Sequence, residues 1–191
     1  MNNLKGSETE KNLLKSFAGE SQARNRYTFF ASVAKKEGYE QIAGIFIETA
    51  GNEKEHAEVF FKHLLGGDLE ITAMYPAGKI GETVENLLAA AEGEKLEWGT
   101  LYPGFEETAK AEGFKEVAES YQEIAEVEEQ HEKRFRKLLE NVVNGAVFKR
   151  DKSLPWKCRN CGYVHVGKEP PELCPACQHP QSYYELLAEN Y

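Results

Sequence analysis

Cysteine is missing from the first 157 residues; all four, Cys158, Cys161, Cys174 and Cys177, fall in the last 34 of the 191. Four cysteines could pair as two disulfides in a secreted domain. Two C-x-x-C units in a chain without an export signal read instead as a metal site. Basic charge is also short, with 23 Lys and Arg against 32 Asp and Glu and a net charge of −9. That balance argues against a nucleic-acid or anionic-membrane partner, since both require a basic footprint. Long apolar runs are absent too. The opening M-N-N-L-K-G-S-E-T-E has no apolar core of a signal peptide. No uncharged apolar stretch approaches the roughly 18 residues of a membrane span. A soluble, cytoplasmic protein is expected.

Proline is scarce before residue 155, and long runs rich in Ala, Glu, Lys and Leu fill residues 7 to about 143. Ser7 with Glu10 forms a capping box, a helix start. Glycines at Gly38, Gly66–Gly67, Gly81 and Gly113 divide the run into helices of about 7–37, 39–65, 83–112 and 114–143. Pro103 should kink or interrupt the third. The breaks at Gly38 and Gly113 are short, so they should close antiparallel hairpins. Residues 66–81 extend to at most about 50 Å. That is enough to run the length of a helix of roughly 39 Å, so a long crossover joins helices two and three.

An internal repeat supports this layout. Residues 34–64 align without gaps on 109–139, an offset of 75, with twelve of 31 positions identical. Glu53 falls on Glu128, His56 on His131, and Tyr27 on Tyr102. Two related hairpins about a pseudo-twofold axis are the simplest explanation. Domain boundaries follow: a bundle at 1–146, a charged linker at 147–153, and a proline- and cysteine-rich β-and-turn domain at 154–191, too short to be stable without a staple.

Each helix carries an apolar stripe at steps of three and four, and each stripe includes carboxylates. Helix two reads Ile42, Phe46, Thr49, Glu53, His56, Phe60; helix four repeats it as Val117, Tyr121, Ile124, Glu128, His131, Phe135. Helix one offers Leu13, Phe17, Glu20, Tyr27 and Ala31, with Arg24 out of pattern. Helix three offers Leu87, Ala90, Glu94, Glu97, Leu101 and Phe105. Five carboxylates in one core would repel one another and lose their hydration. Two cations resolve that conflict. Glu-x-x-His puts both side chains on one helix face, a turn apart. Two such pairs plus a Glu from each remaining helix make the ligand set of ferritin-like di-iron bundles. Iron or manganese suits these ligands better than zinc or copper. The bland alternative, solvated glutamate-rich faces, fits a single such pair but not two in register with a repeat. His63 reads as a helix-end surface residue, and His165 and His179 receive no role.

Cys158-x-x-Cys161 and Cys174-x-x-Cys177 form two hooks whose amides can point at the sulfurs, and four thiolates complete a tetrahedron. Zinc would be structural there; iron would carry one electron. C-R-N-C-G-Y at 158–163, C-P-A-C at 174–177 and Trp156 resemble rubredoxin, although the 12-residue interval between hooks is shorter than in ordinary rubredoxins.

Taken together, A-G-E-S-Q-A-R-N-R-Y at 18–27, E-K-E-H at 53–56, E-K-L-E at 94–97, E-E-Q-H at 128–131 and the two hooks resemble the rubrerythrin family over the whole chain. The resemblance implies a mainly α, ferritin-like four-helix bundle with a long crossover, and a small rubredoxin-like domain. It implies two non-haem irons, bridged by oxide and carboxylate, on Glu20, Glu53, His56, Glu94, Glu97, Glu128 and His131. The resemblance also implies a third iron on the four cysteines, Cys158, Cys161, Cys174 and Cys177. Glu53 and Glu128 would bridge, one iron would move between Glu97 when oxidised and His56 when reduced, and Tyr27 and Tyr102 would steady the carboxylates. The implied activity is reduction of hydrogen peroxide to water, with electrons drawn from NADH through a separate reductase or rubredoxin, in a homodimer or higher oligomer. A ferroxidase or iron-handling role, and a scaffold with a structural zinc ribbon, are the competing readings.

Overall fold

The computed structural model describes residues 3–190. Helix α1 runs Glu8–Lys36 and α2 Glu40–His63. Then follow α3 (Thr83–Leu96), a π-helical turn (Glu97–Leu101), α4 (Tyr102–Glu112) and α5 (Lys115–Val143). Four rods therefore stand where the sequence places them, the third being α3, the π turn and α4 end to end. No helix among the described residues is long and apolar enough to cross a membrane.

Glycine closes both hairpins in the same way. Gly38 (φ 86°) and Gly113 (φ 84°) adopt the left-handed conformation that a β-carbon disfavours. The next amides, of Tyr39 and Phe114, reach back to the carbonyls of Ala34 and Ala109, both at 2.8 Å. The expected capping box is only half formed. Ser7 Oγ accepts from the Glu10 amide, but Glu10 Oε2 accepts from Gly6 rather than Ser7, because the chain turns one residue earlier.

The repeat extends through the core. Tyr27, Phe30, Phe46 and Phe135 form one aromatic cluster; their partners at the 75-residue offset, Tyr102, Phe105, Tyr121 and Phe60, form the other. Phe46–Phe135 and Tyr121–Phe60 centroids lie 5.2 and 5.0 Å apart, and both Phe30–Phe46 and Phe105–Tyr121 meet edge-on, at 5.7 and 5.6 Å. The clusters cap the mid-bundle on either side with apolar rings.

Pro103 lies in the first turn of α4 rather than at a kink. The interruption is the π turn just before it, closed by the Tyr102 amide on the Glu97 carbonyl. A proline ring collides with the carbonyl four residues back in an α-helix, and a wider turn relieves that. The crossover, residues 64–82, has no regular structure and passes beside α1, where Tyr75 donates to the Lys15 carbonyl at 2.8 Å.

In the small domain β1 (Leu154–Cys158) pairs antiparallel with β2 (Val164–Gly167) and with β3 (Tyr184–Leu186). Trp156, Cys158, Cys174 and Tyr184 are its buried centre. It packs against α2 at Gly44, where a β-carbon would stand 2.5 Å from the Arg159 guanidinium.

Candidate metal centres

Glu20, Glu53, Glu94, Glu128 and His131 are buried in the bundle, and His56 is nearly so. Their ligand atoms fall into two groups of four: Glu20, Glu53, His56 and Glu128, and Glu53, Glu94, Glu128 and His131. Glu53 and Glu128 belong to both. Each offers one oxygen per side. Glu128 Oε1 lies 2.7 Å from His56 Nδ1 and its Oε2 2.7 Å from His131 Nδ1. For Glu53 the corresponding distances are 3.0 Å (Oε2) and 3.3 Å (Oε1).

These contacts lack hydrogen-bond angles: both oxygens of Glu53 and Glu128 and both Nδ1 atoms are buried without a hydrogen-bond partner, as are Glu20 Oε2 and Glu94 Oε2. Buried polar atoms left so are costly unless a ligand satisfies them. The remaining oxygens are held: Tyr27 donates to Glu94 Oε1 at 2.5 Å, and Tyr102 donates to Glu20 Oε1. Each tyrosine thus reaches across to the other hairpin and leaves one carboxylate oxygen facing inward. The donor set, carboxylate-rich with one imidazole per group, fits two iron ions.

The electrostatics of the bare protein carry the same conflict. Burial, then repulsion from neighbouring carboxylates, pushes Glu20, Glu94 and Glu97 well above the ordinary carboxylate range. Burial opposes charging His56 and His131, but the facing Glu128 and Glu53 outweigh it and push them up to about 10 and about 9. Burial would also raise Glu128, yet the two imidazoles hold it below its usual value. The core without ions therefore retains protons in the places where cations fit.

Glu97 belongs to neither group. It is half-buried in the π turn, on the wall of a cavity of about 320 Å³. Sequence reasoning missed the π turn, although a signal exists. Glu20 and Tyr27 are seven residues apart, whereas Glu94 and Tyr102 are eight apart. One extra residue in the second half has to be absorbed between two fixed contacts, and a π turn absorbs it. Trp98, in that turn, donates to Glu132 Oε2 on α5 at 2.7 Å, a contact with no counterpart in the first half. Arg24 is exposed; the stripe of α1 passes through buried Ala23 instead. His63, half-buried, meets Ser120 Oγ at 2.9 Å and stays outside both groups.

The four cysteine sulfurs lie together, with Cys158–Cys177 at 3.8 Å and Cys161–Cys174 at 3.7 Å. A tetrahedron with metal–sulfur bonds of about 2.3 Å has edges of about 3.8 Å. A disulfide would need about 2.05 Å. The hooks match each other: the amides of Gly162 and Gln178 close on the carbonyls of Cys158 and Cys174, both at 2.8 Å. Amides of Asn160 and Cys161 point at Cys158, and those of Ala176 and Cys177 at Cys174. Tyr163 and His179 do the same for Cys161 and Cys177, and the His179 amide helps lower the Cys177 thiol to about 6. His179, given no role from sequence, therefore shapes the second hook through its backbone.

A family model described as rubrerythrin matches residues 11–139, and one described as the rubredoxin-like domain of rubrerythrin matches 156–185. The chain is 63% identical over 188 residues to a rubrerythrin of Porphyromonas gingivalis, covering 98% of this chain and 94% of the relative. It is 54% identical over 191 residues to a rubrerythrin of Nitratidesulfovibrio vulgaris, covering all of both. Among solved structures, the fully reduced, all-ferrous state of nigerythrin superposes with a TM-score of 0.65 at 30% identity, covering 95% of this chain and 87% of that one. A bacterioferritin of Mycobacterium tuberculosis shares the bundle fold at 18% identity and a TM-score of 0.64, covering 75% of this chain and 90% of that one. Matched in its bundle and in its cysteine domain, the chain belongs to the rubrerythrin family of di-iron proteins with a rubredoxin-like iron domain.

Proposed function

We propose that the protein is a hydrogen peroxide reductase in which the cysteine domain supplies electrons to the bundle. What carries the reading is the pairing, on one chain, of two four-ligand groups sharing Glu53 and Glu128 with a four-sulfur tetrahedron. Reduction of peroxide consumes two electrons and two protons and yields two waters. When bound, an iron pair supplies both electrons at once, and a four-cysteine iron passes one at a time without offering substrate an open position.

The residues take the following parts. Glu53 and Glu128, shared by both groups, would be ligands to both ions. Glu20 and His56 complete one side, Glu94 and His131 the other. Glu97 and His56 would be the reactive side chains, alternative ligands to the same ion, a reading that the placement of Glu97 outside both groups and beside the cavity supports. Tyr27 and Tyr102 fix the terminal carboxylates, and the aromatic clusters exclude water from the two ends. The bundle occupies 1–146 and the iron domain 154–191, joined by 147–153. An NADH-dependent reductase or a rubredoxin feeds the cysteine iron, in the cytoplasm, and the protein works as a homodimer or larger homo-oligomer.

Anaerobically reduced protein mixed in separate shots with hydrogen peroxide and with oxygen tests this. Faster oxidation by peroxide is expected. Faster oxidation by oxygen would contradict it and favour the ferroxidase reading, which also requires sustained turnover of added Fe(II).

A further inference from the structure

The metal groups lie at mid-bundle, and none of their six residues lines the 320 Å³ cavity, which ends against the residues beside them. Gly19 and Arg26 of α1, Tyr75 of the crossover, and Glu97, Leu101 and Tyr102 of the third rod all line it. Two of these adjoin the centre: Tyr102 holds Glu20, and Glu97 lies near enough to feel the charges of Glu128 and Glu53.

Gly19 is the informative position. It sits inside a helix, where alanine is the favoured residue and glycine weakens the structure. A β-carbon there would meet Tyr75 Cε1 at 3.7 Å and Glu97 Oε1 at 3.9 Å, both ordinary contacts. Neither backbone conformation nor a clash therefore demands glycine. What its bareness preserves is the gap between the Tyr75 ring and the Glu97 carboxylate. Tyr75 closes that gap from outside on a segment without regular structure, tied down by its hydroxyl on Lys15. Lys15 is four residues before Gly19, so the latch grips the helical turn that forms the cavity floor. Arg26 faces the same space half-buried, and its charge acts on Glu97 across the cavity.

We propose that this cavity is the route by which small molecules reach the di-iron centre, with Gly19 as its bare floor and Tyr75 as its latched cover. The route rests on the peroxide-reductase reading only for the identity of the molecule that travels it. A barrier on a path slows entry and exit by the same factor and leaves the binding equilibrium alone. A distorted metal site changes the equilibrium.

Nitric oxide, a neutral diatomic ligand for ferrous iron, separates these cases in the fully reduced, iron-loaded protein. Gly19→Leu is expected to lower its association and release rates together by roughly tenfold, equivalent to ~1.4 kcal/mol of barrier, with an unchanged dissociation constant. Gly19→Ala should act the same way more weakly, and Tyr75→Phe, which frees the latch, should raise both rates. These two carry the test if Gly19→Leu fails to retain iron. Gly51→Ala, at a helix glycine with nothing within 4 Å of its β-carbon, is the control. Unchanged rates, a shift in the dissociation constant alone, or no nitric oxide binding in the parent protein would overturn the route. Peroxide mixed with the same variants keeps the two readings apart. Gated nitric oxide without peroxide consumption would leave the route standing and refute the reductase.

Discussion

At Tyr27 and Tyr102 one hydroxyl each decides how a buried carboxylate is presented. Burial, then the neighbouring carboxylates, holds both hydroxyls far above their usual range, so they remain donors. Removing either by Tyr→Phe leaves an oxygen of Glu94 or Glu20 unheld, and residues that orient ligands in this way are worth 10- to 100-fold in metal affinity. Iron titration of Tyr27→Phe should therefore show binding weakened by about tenfold or more, with the cysteine spectrum untouched; unaltered affinity would remove the tyrosines from the site. His56→Ala and His131→Ala should each damage the di-iron centre while sparing that spectrum. The second hook offers a different kind of test. Gln178 stands at φ 61°, in the position that Gly162 occupies at φ 82° in the first hook. A side chain in that conformation costs about 1 kcal/mol, so Gln178→Gly should slow loss of iron from the cysteine site to a chelator.

Among the elements, the third rod departs most from what its sequence suggests. Helix ends, hairpin glycines and the paired Glu-x-x-His stripes were legible because they depend on local periodicity and on a repeat that can be counted. The π turn was not, since the visible signal was Pro103, and a proline indicates trouble in a helix without indicating its form. Besides the proline, two contacts distant in sequence, Tyr27 on Glu94 and Tyr102 on Glu20, demand register on both sides of one extra residue. Glu97 could be assigned to the inner stripe but not to the cavity wall for the same reason. Trp98 braces the turn against Glu132, which Arg136 also holds at 2.6 Å. Hydrogen bonds to charged groups contribute about 1.5–3 kcal/mol. Trp98→Phe should lower the stability of the bundle by an amount in that range, measured by urea unfolding; no change would show that the turn holds itself.

For the molecule as a whole, metal and stability are linked through protons. In the metal-free protein Glu20, Glu94, Glu97, His56 and His131 all sit above their ordinary values, so the native state binds more protons than the unfolded chain. Stability from such groups is present at low pH and is lost as pH rises through the folded values. Glu128 alone among them acts in the opposite sense. Thermal melts of metal-free protein should therefore fall from about pH 5 towards pH 10, whereas iron, replacing those protons, should abolish the decline. A metal-free melting temperature that rises over that window would contradict the account of the core.

The two centres also make a claim that neither makes alone, that electrons pass from the cysteine iron to the bundle. Fully reduced protein, mixed anaerobically with hydrogen peroxide and followed at the thiolate-to-iron absorption, tests it most directly. The parent protein should regain that colour as the bundle irons draw electrons from the cysteine site. His131→Ala should stay bleached with peroxide yet colour fully with a direct chemical oxidant. Colour returning in His131→Ala at the parental rate would mean that the cysteine iron reacts without the bundle, and the relay would be refuted.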